Sequence, residues 1–214
     1  PTAQRIGESD SFIDRFNSAI QIDTSGAYPV YHKSKLVVGV EKMPYPKVFR
    51  FLNSLIPDLG GSAGTRGTQE HRETFSSPTH PVSIAPVICY ESIYGAYVSK
   101  YINNGANFIF IITKDGWWGE TIGYRQHLHY ARLRAIETRR SIARSANTGI
   151  SCFIDQKGRI IKQTNWWEKS AIRGTIHAND EKTFYVEYGD YIGRVAGFMA
   201  VFAILYLIAK ILID

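Results

Sequence analysis

The apolar positions of this chain fall into short runs of strand length, separated by turn-forming residues. Six such runs are rich in Ile, Val, Phe and Tyr and are bounded by Gly, Asn, Asp or Pro. They predict strands at Ser18–Ile22, Val82–Cys89, Phe108–Thr113, Ile142–Ser145, Ile150–Ile154 and Thr183–Val186. Two stretches interrupt them with helical spacing, about Ser92–Asn103 and about Tyr124–Arg140. In the second, "YRQHLHYARLRAIETRR", Leu128, Ala131, Leu133, Ala135 and Ile136 fall largely on one side of a helix. "DQKGRII" reads as a hairpin with Gly158 supplying the turn. Strands mixed with helices predict a layered α/β domain with largely buried sheets.

The pattern changes at the C-terminal end. Residues 195–213, "VAGFMAVFAILYLIAKILI", carry one charge, Lys210, and no polar stripe. Nineteen residues at the helical rise span roughly 28 Å, close to the hydrocarbon thickness of a bilayer. The chain therefore divides into a domain over 1–190 and a transmembrane helix over 192–213, a buried C-terminal helix being the alternative. Residues 57–80 are rich in Gly, Ser and Thr and read as a long surface loop. Just before it, residues 43–56 carry Tyr45, Val48, Phe49, Phe51, Leu52, Leu55 and Ile56. This segment reads either as core or as an amphipathic arm at a membrane interface.

Composition adds three points. Lys plus Arg outnumber Asp plus Glu by 25 to 19, a formal charge of +6, which suits anionic lipid or nucleic acid. Beside an apolar tail, lipid is the better match. Only two cysteines occur, Cys89 and Cys152, in separate apolar runs, so neither a disulfide framework nor a zinc cluster is indicated. The chain opens on Pro1 and "PTAQRIGESDSFIDRF" lacks the signal-peptide pattern, so it reads as the C-terminal part of a longer protein.

Candidate chemistry centres on "VICYESIYG", residues 87–95, where Cys89 ends an apolar strand and Tyr90 and Glu91 follow. A thiol becomes a useful nucleophile only as thiolate, near positive charge or a base; otherwise it is an inert core residue. Three further segments bear on the choice. "YHKSKLVVGVE" places Lys33 before an apolar stretch and then Glu41; "KDGWWGE" packs Asp115, Trp117 and Trp118 into a turn after a strand; "RAIETRRSIARSANTG" supplies a helix, a strand and an Asn-Thr-Gly turn.

In this order, over residues 33–149, the segments resemble the carbon–nitrogen hydrolase (nitrilase) superfamily. With the apolar tail, they are similar to its membrane branch, the apolipoprotein N-acyltransferase family. The resemblance implies a nitrilase-like α-β-β-α sandwich followed by a C-terminal transmembrane helix. It implies a Glu, Lys and Cys triad: Cys89 attacks an acyl carbonyl and Lys33 stabilises the oxyanion. Glu41 matches the family's second glutamate. Tyr90 and Glu91 are implied to hold the thiol and the incoming amine, and Trp117 to wall the acyl pocket. The triad's general base lies upstream of the lysine in the family. Glu8, the sole glutamate before Lys33, reads as a loop residue, so the base is expected upstream of Pro1 and the chain alone is expected to be inactive.

The implied function is transfer of a fatty acyl chain from a phospholipid, through a cysteine thioester, to the N-terminal amine of a diacylglyceryl-cysteine lipoprotein. The implied location is the bacterial inner membrane, with the catalytic domain on the periplasmic side. No cofactor, metal or nucleic acid is expected. Two alternatives stand beside it: a membrane-tethered amidase or nitrilase-type hydrolase, and a non-catalytic lipid-binding remnant. Two positions depart from the family pattern, Val38 for its usual proline and Lys114 for a frequent asparagine. His127 and His129 flank Leu128 and cannot meet one metal from one helix face. Arg132, Arg134, Arg139, Arg140 and Arg144 resemble a nucleic-acid patch by count, but helical spacing scatters them, with Glu137 pairing with one.

Overall fold

A computed structural model describes residues 2–5, 13–38, 40–42 and 66–213. Two antiparallel pairs come first: β1 (Thr2–Arg5) with β2 (Ile13–Phe16), and β3 (Ser18–Ile20) with β4 (Val30–His32). Then follow β5 (Phe75–Ser76), β6 (Ser83–Ile88), α1 (Gly95–Asn103), β7 (Phe108–Lys114), α2 (Gly123–Thr138), β8 (Ser141–Asn147), β9 (Cys152–Ile154) and β10 (Ile160–Gln163). The chain closes with α3 (Phe184–Tyr188) and α4 (Tyr191–Ile213).

Strands β5 to β10 form one six-stranded mixed sheet in the order β10-β9-β8-β7-β6-β5. The central strands β6, β7 and β8 are parallel, as helical crossovers require, and the outer pairings are antiparallel. Alternation along β7 sets the two faces: Ile109, Ile111 and Thr113 are buried, while Phe110, Ile112 and Lys114 face outward. The buried face joins Val98, Tyr101 and Ile102 of α1 with Leu128, Ala131 and Ala135 of α2 in one core, which also takes in Ala19 and Tyr31 from β3 and β4. The hairpin of β9 and β10 turns at Gly158, whose φ of +77° is the left-handed conformation glycine tolerates.

Two expectations need correction. Thr183–Val186 is not a strand but the start of α3. The Thr183 hydroxyl accepts from the Val186 amide as an N-cap, and Val186 is buried in the helical core, so capping and packing override β-propensity. On α2, Leu133 and Ile136 are 41% and 44% exposed; the buried stripe is Tyr124, His127, Leu128, Ala131, Ala135 and Thr138. The segment 43–56 lies outside the described residues. Helix α4 is fully exposed, with a mean hydropathy of 2.4 over its most apolar window, and is long and apolar enough to cross a membrane.

Candidate active site

Strand β6 ends at Ile88, and Cys89 opens a 3-10 turn running to Ile93. The φ of Cys89 is +50°, a left-handed backbone that costs a residue with a β-carbon about 1–2 kcal/mol. Side chains hold the turn at both ends. The Cys89 carbonyl accepts from the Ser92 hydroxyl at 2.8 Å and lies 3.2 Å from His127 Nε2. The Ile88 amide donates to Glu91 Oε2 at 2.8 Å, and the Ile93 carbonyl accepts from Arg134 Nη1 at 3.0 Å. The result is a half-buried thiol at the head of a parallel strand, bordering two hollows: a cavity of about 500 Å³ and a small one of about 80 Å³.

Lys33 follows β4 and is 1% exposed, yet it lines the larger cavity together with Cys89. Its Nζ donates to Glu41 Oε2 at 2.7 Å. Glu41 also accepts from the Val37 amide at 2.9 Å and from the Asn17 side chain. The ammonium is therefore fixed in place at a cavity wall shared with the sulfur. The loop that carries it is tied to the Cys89 turn through Glu91, which is fully buried. Glu91 Oε1 accepts from the Tyr31 and Tyr97 hydroxyls at 2.7 and 2.9 Å and from the Ser34 amide at 2.7 Å. Burial pushes the Glu91 carboxyl above its ordinary value, against the pull of these donors.

A second buried cluster backs the turn. Asp115, just after β7, takes Arg144 Nη2 on Oδ2 at 2.5 Å and faces His127 Nδ1 from Oδ1 at 2.9 Å; the Thr113 hydroxyl donates to Oδ1 at 3.0 Å. Burial alone would raise the Asp115 carboxyl; His127 and Arg144 outweigh it and hold the group below its ordinary value. The other ring nitrogen of His127 lies 3.0 Å from the Ser92 hydroxyl, so the cluster reaches the Cys89 carbonyl through two groups. Gly149 of the Asn-Thr-Gly turn permits this closeness, since a β-carbon there would stand 2.6 Å from Asp115 Oδ2.

The structure thus brings Cys89, Lys33, Glu41 and Trp117 to one cavity. Trp117, 41% exposed, borders both hollows, whereas Tyr90 lines only the smaller one and meets Tyr94 edge-on at 5.4 Å. Glu91 is sealed away from both and acts through the backbone it holds. Cys152 is buried in β9, its thiol pushed up to about 11 by burial, and both cysteines are free. Asn17, Ser92, Asp115, His127 and Arg144 were not singled out in the sequence as site residues. For His127 a signal existed: it lies at i+3 from Tyr124 and i−4 from Ala131, on the buried face of α2. Arg134, Arg140 and Arg144 are buried partners of carbonyls and carboxylates, and Glu137 does pair with Arg134, at 3.0 Å.

A half-buried thiol on a turn after a parallel strand, bordering a cavity shared with a buried lysine–glutamate pair, is an arrangement suited to acyl chemistry. The chain belongs to the carbon–nitrogen hydrolase family, whose model matches residues 2–184. Its fold is of the nitrilase type: yeast Nit3 (Saccharomyces cerevisiae), a member of branch 10 of the nitrilase superfamily, superposes with a TM-score of 0.52 at 16% identity, over 73% of this chain and 51% of that one. Within the family the chain is similar to proteins named apolipoprotein N-acyltransferase. It is 34% identical to that of Chlorobaculum tepidum over 97% of this chain and 39% of the relative, and 30% identical to that of Thermotoga maritima over 94% and 40%. The chain spans about two fifths of these curated relatives.

Proposed function

We propose that the protein is an N-acyltransferase whose nucleophile is Cys89 and whose oxyanion-stabilising cation is Lys33. The observation that carries this reading is the strained Cys89 turn opening onto the cavity that Lys33 lines. The Cys89 thiol gives its proton to the upstream carboxylate that the resemblance implies, and the thiolate attacks an ester carbonyl of a membrane phospholipid while the Lys33 ammonium meets the developing charge. The acyl–oxygen bond breaks as the leaving oxygen takes up that proton, giving a thioester and a lysophospholipid. The α-amine of a diacylglyceryl-cysteine lipoprotein then attacks the thioester, the carbon–sulfur bond breaks, and the amine's proton passes through the same carboxylate to the departing thiolate, restoring the Cys89 thiol. Splitting one transfer between two lipids into two steps lets each lipid enter separately. Glu41 keeps Lys33 aimed, Glu91 keeps the lysine loop registered on the Cys89 turn, Trp117 and Tyr90 wall the acyl side, and no metal or cofactor takes part. The proton acceptor that the resemblance assigns to an upstream glutamate is not supplied by Glu41 or Glu91, both already held by several donors, and Glu8 lies outside the described residues.

Both lipid substrates reside in a bilayer, and α4 supplies an anchor for a catalytic domain lying at its surface. In this reading the bilayer is the bacterial inner membrane and the domain faces the periplasm. Mass spectrometry of the full-length protein, including the segment upstream of Pro1, in phospholipid vesicles is the test. An acyl adduct on Cys89, absent in Cys89→Ala, is the expected result; an adduct on another residue, or none, overturns the assignment.

A further inference from the structure

Among the described residues, the cavity beside Cys89 carries positive charge beyond the Lys33 ammonium. Of the described residues, three cations line it, Lys33, Arg66 and Lys114, against one acid, Glu41. Glu41 is engaged by Lys33. Arg66 is anchored through its backbone, the amide donating to the Glu41 carbonyl at 3.2 Å, while its Nε and Nη1 are buried and have no hydrogen-bond partner among the described residues. Lys114 ends β7 on the same outward face as Ile112, which also lines the cavity, and makes no ion pair with any described residue. It is also the position where this sequence departs from the family's frequent asparagine.

A buried guanidinium donor lacking an acceptor is costly, and a ligand that brings acceptors relieves that cost. Two uncompensated cations in a walled cavity select an anion, and the planar guanidinium fork fits a phosphate through paired hydrogen bonds. We infer that Arg66 and Lys114 form a phosphate subsite that holds the phosphodiester of the donor lipid while its ester carbonyl sits at Cys89. This rests on the acyl-transfer reading and adds a discrimination to it. Donor and acceptor lipids both carry fatty esters, but the diacylglyceryl-cysteine acceptor has no phosphate. A phosphate subsite therefore directs the first half-reaction to the donor and keeps Cys89 from taking acyl groups off the acceptor.

Protection of Cys89 from alkylation tests this without requiring turnover. In detergent, iodoacetamide labelling is followed by mass spectrometry, with the buried Cys152 as the internal control for folding. Dihexanoyl phosphatidylglycerol is expected to slow Cys89 labelling about tenfold, and dihexanoylglycerol, with the same chains and no phosphate, less than about twofold. Arg66→Gln with Lys114→Asn should abolish the difference while Cys152 stays unlabelled, and Lys114→Asn alone should reduce it by about threefold. Equal protection by the two lipids, or protection unchanged in the double variant, overturns the subsite. Equal protection by inorganic phosphate overturns the lipid as its ligand. Selective protection without any Cys89 acyl adduct would keep the subsite and remove the acyl-transfer reading.

Discussion

Two buried ionic clusters lie on either side of the site at Cys89. Lys33 and Glu41 meet at the wall of an open cavity, whereas Asp115, His127 and Arg144 close on one another and on backbone carbonyls. Both are almost solvent-free, so burial alone does not tell them apart. What differs is where the charge is directed. The first cluster presents an ammonium to space that a substrate can enter; the second directs its donors and acceptors at the turn and the strands beneath it. In the proposed reading the first acts on a ligand, while the second holds the backbone that carries the sulfur.

The largest effect that sharpens this contrast is on stability. Asp115→Ala leaves the buried Arg144 unpaired and is expected to cost about 3–5 kcal/mol, read as a lower midpoint in denaturant unfolding. The pH dependence follows the same group. The folded Asp115 carboxyl is held below its ordinary value, so its stabilisation is complete above about pH 4 and is lost as pH falls through the folded value. The variant should lack that acid-limb contribution; an identical acid limb in both proteins would show that the cluster does not hold the fold.

Lys33→Met comes next, with an expected loss of about 10²–10³ in acyl-transfer rate, the range found on removing one oxyanion donor. A rate change of less than tenfold breaks the comparison, because the cavity-side ammonium would then be merely structural. Glu91→Gln follows at about 1–3 kcal/mol of stability, since an amide nitrogen must then face either the Ile88 amide or the donors around Oε1. Its rate loss should be recovered when the turn is stabilised by bound lipid, which a residue touching substrate would not show. Ser92→Ala is the smallest, about 0.5–1.5 kcal/mol for one hydrogen bond to the Cys89 carbonyl, with the thiol still alkylated.

The two clusters also differ in how far the sequence disclosed them. Cys89 at the end of an apolar strand, and Lys33 eight residues before Glu41, are local spacings, and local spacing survives folding. The strands β6 to β8, helix α2 and the Gly158 hairpin were legible for the same reason. Asp115, His127 and Arg144 come from three separate elements, and each residue alone has an ordinary explanation. Their meaning lies in a meeting that only the parallel sheet brings about. His127 was tested as a metal ligand and set aside, although its place on the buried stripe of α2 required some partner. By count Arg144 belongs with the arginines that resemble a nucleic-acid patch; β-strand alternation turns it inward to Asp115. Leu133 and Ile136 show the opposite failure, apolar residues drawn into a stripe that lies on the other side of the helix.

The left-handed backbone at Cys89 has an evolutionary corollary. Glycine adopts that conformation without steric penalty, so a lineage selected for folding alone would drift toward glycine at position 89. In the proposed reading, the thioester step is what keeps a sulfur at this position. On that reading, a relative with glycine heading this turn would keep the scaffold and lose the acyl chemistry.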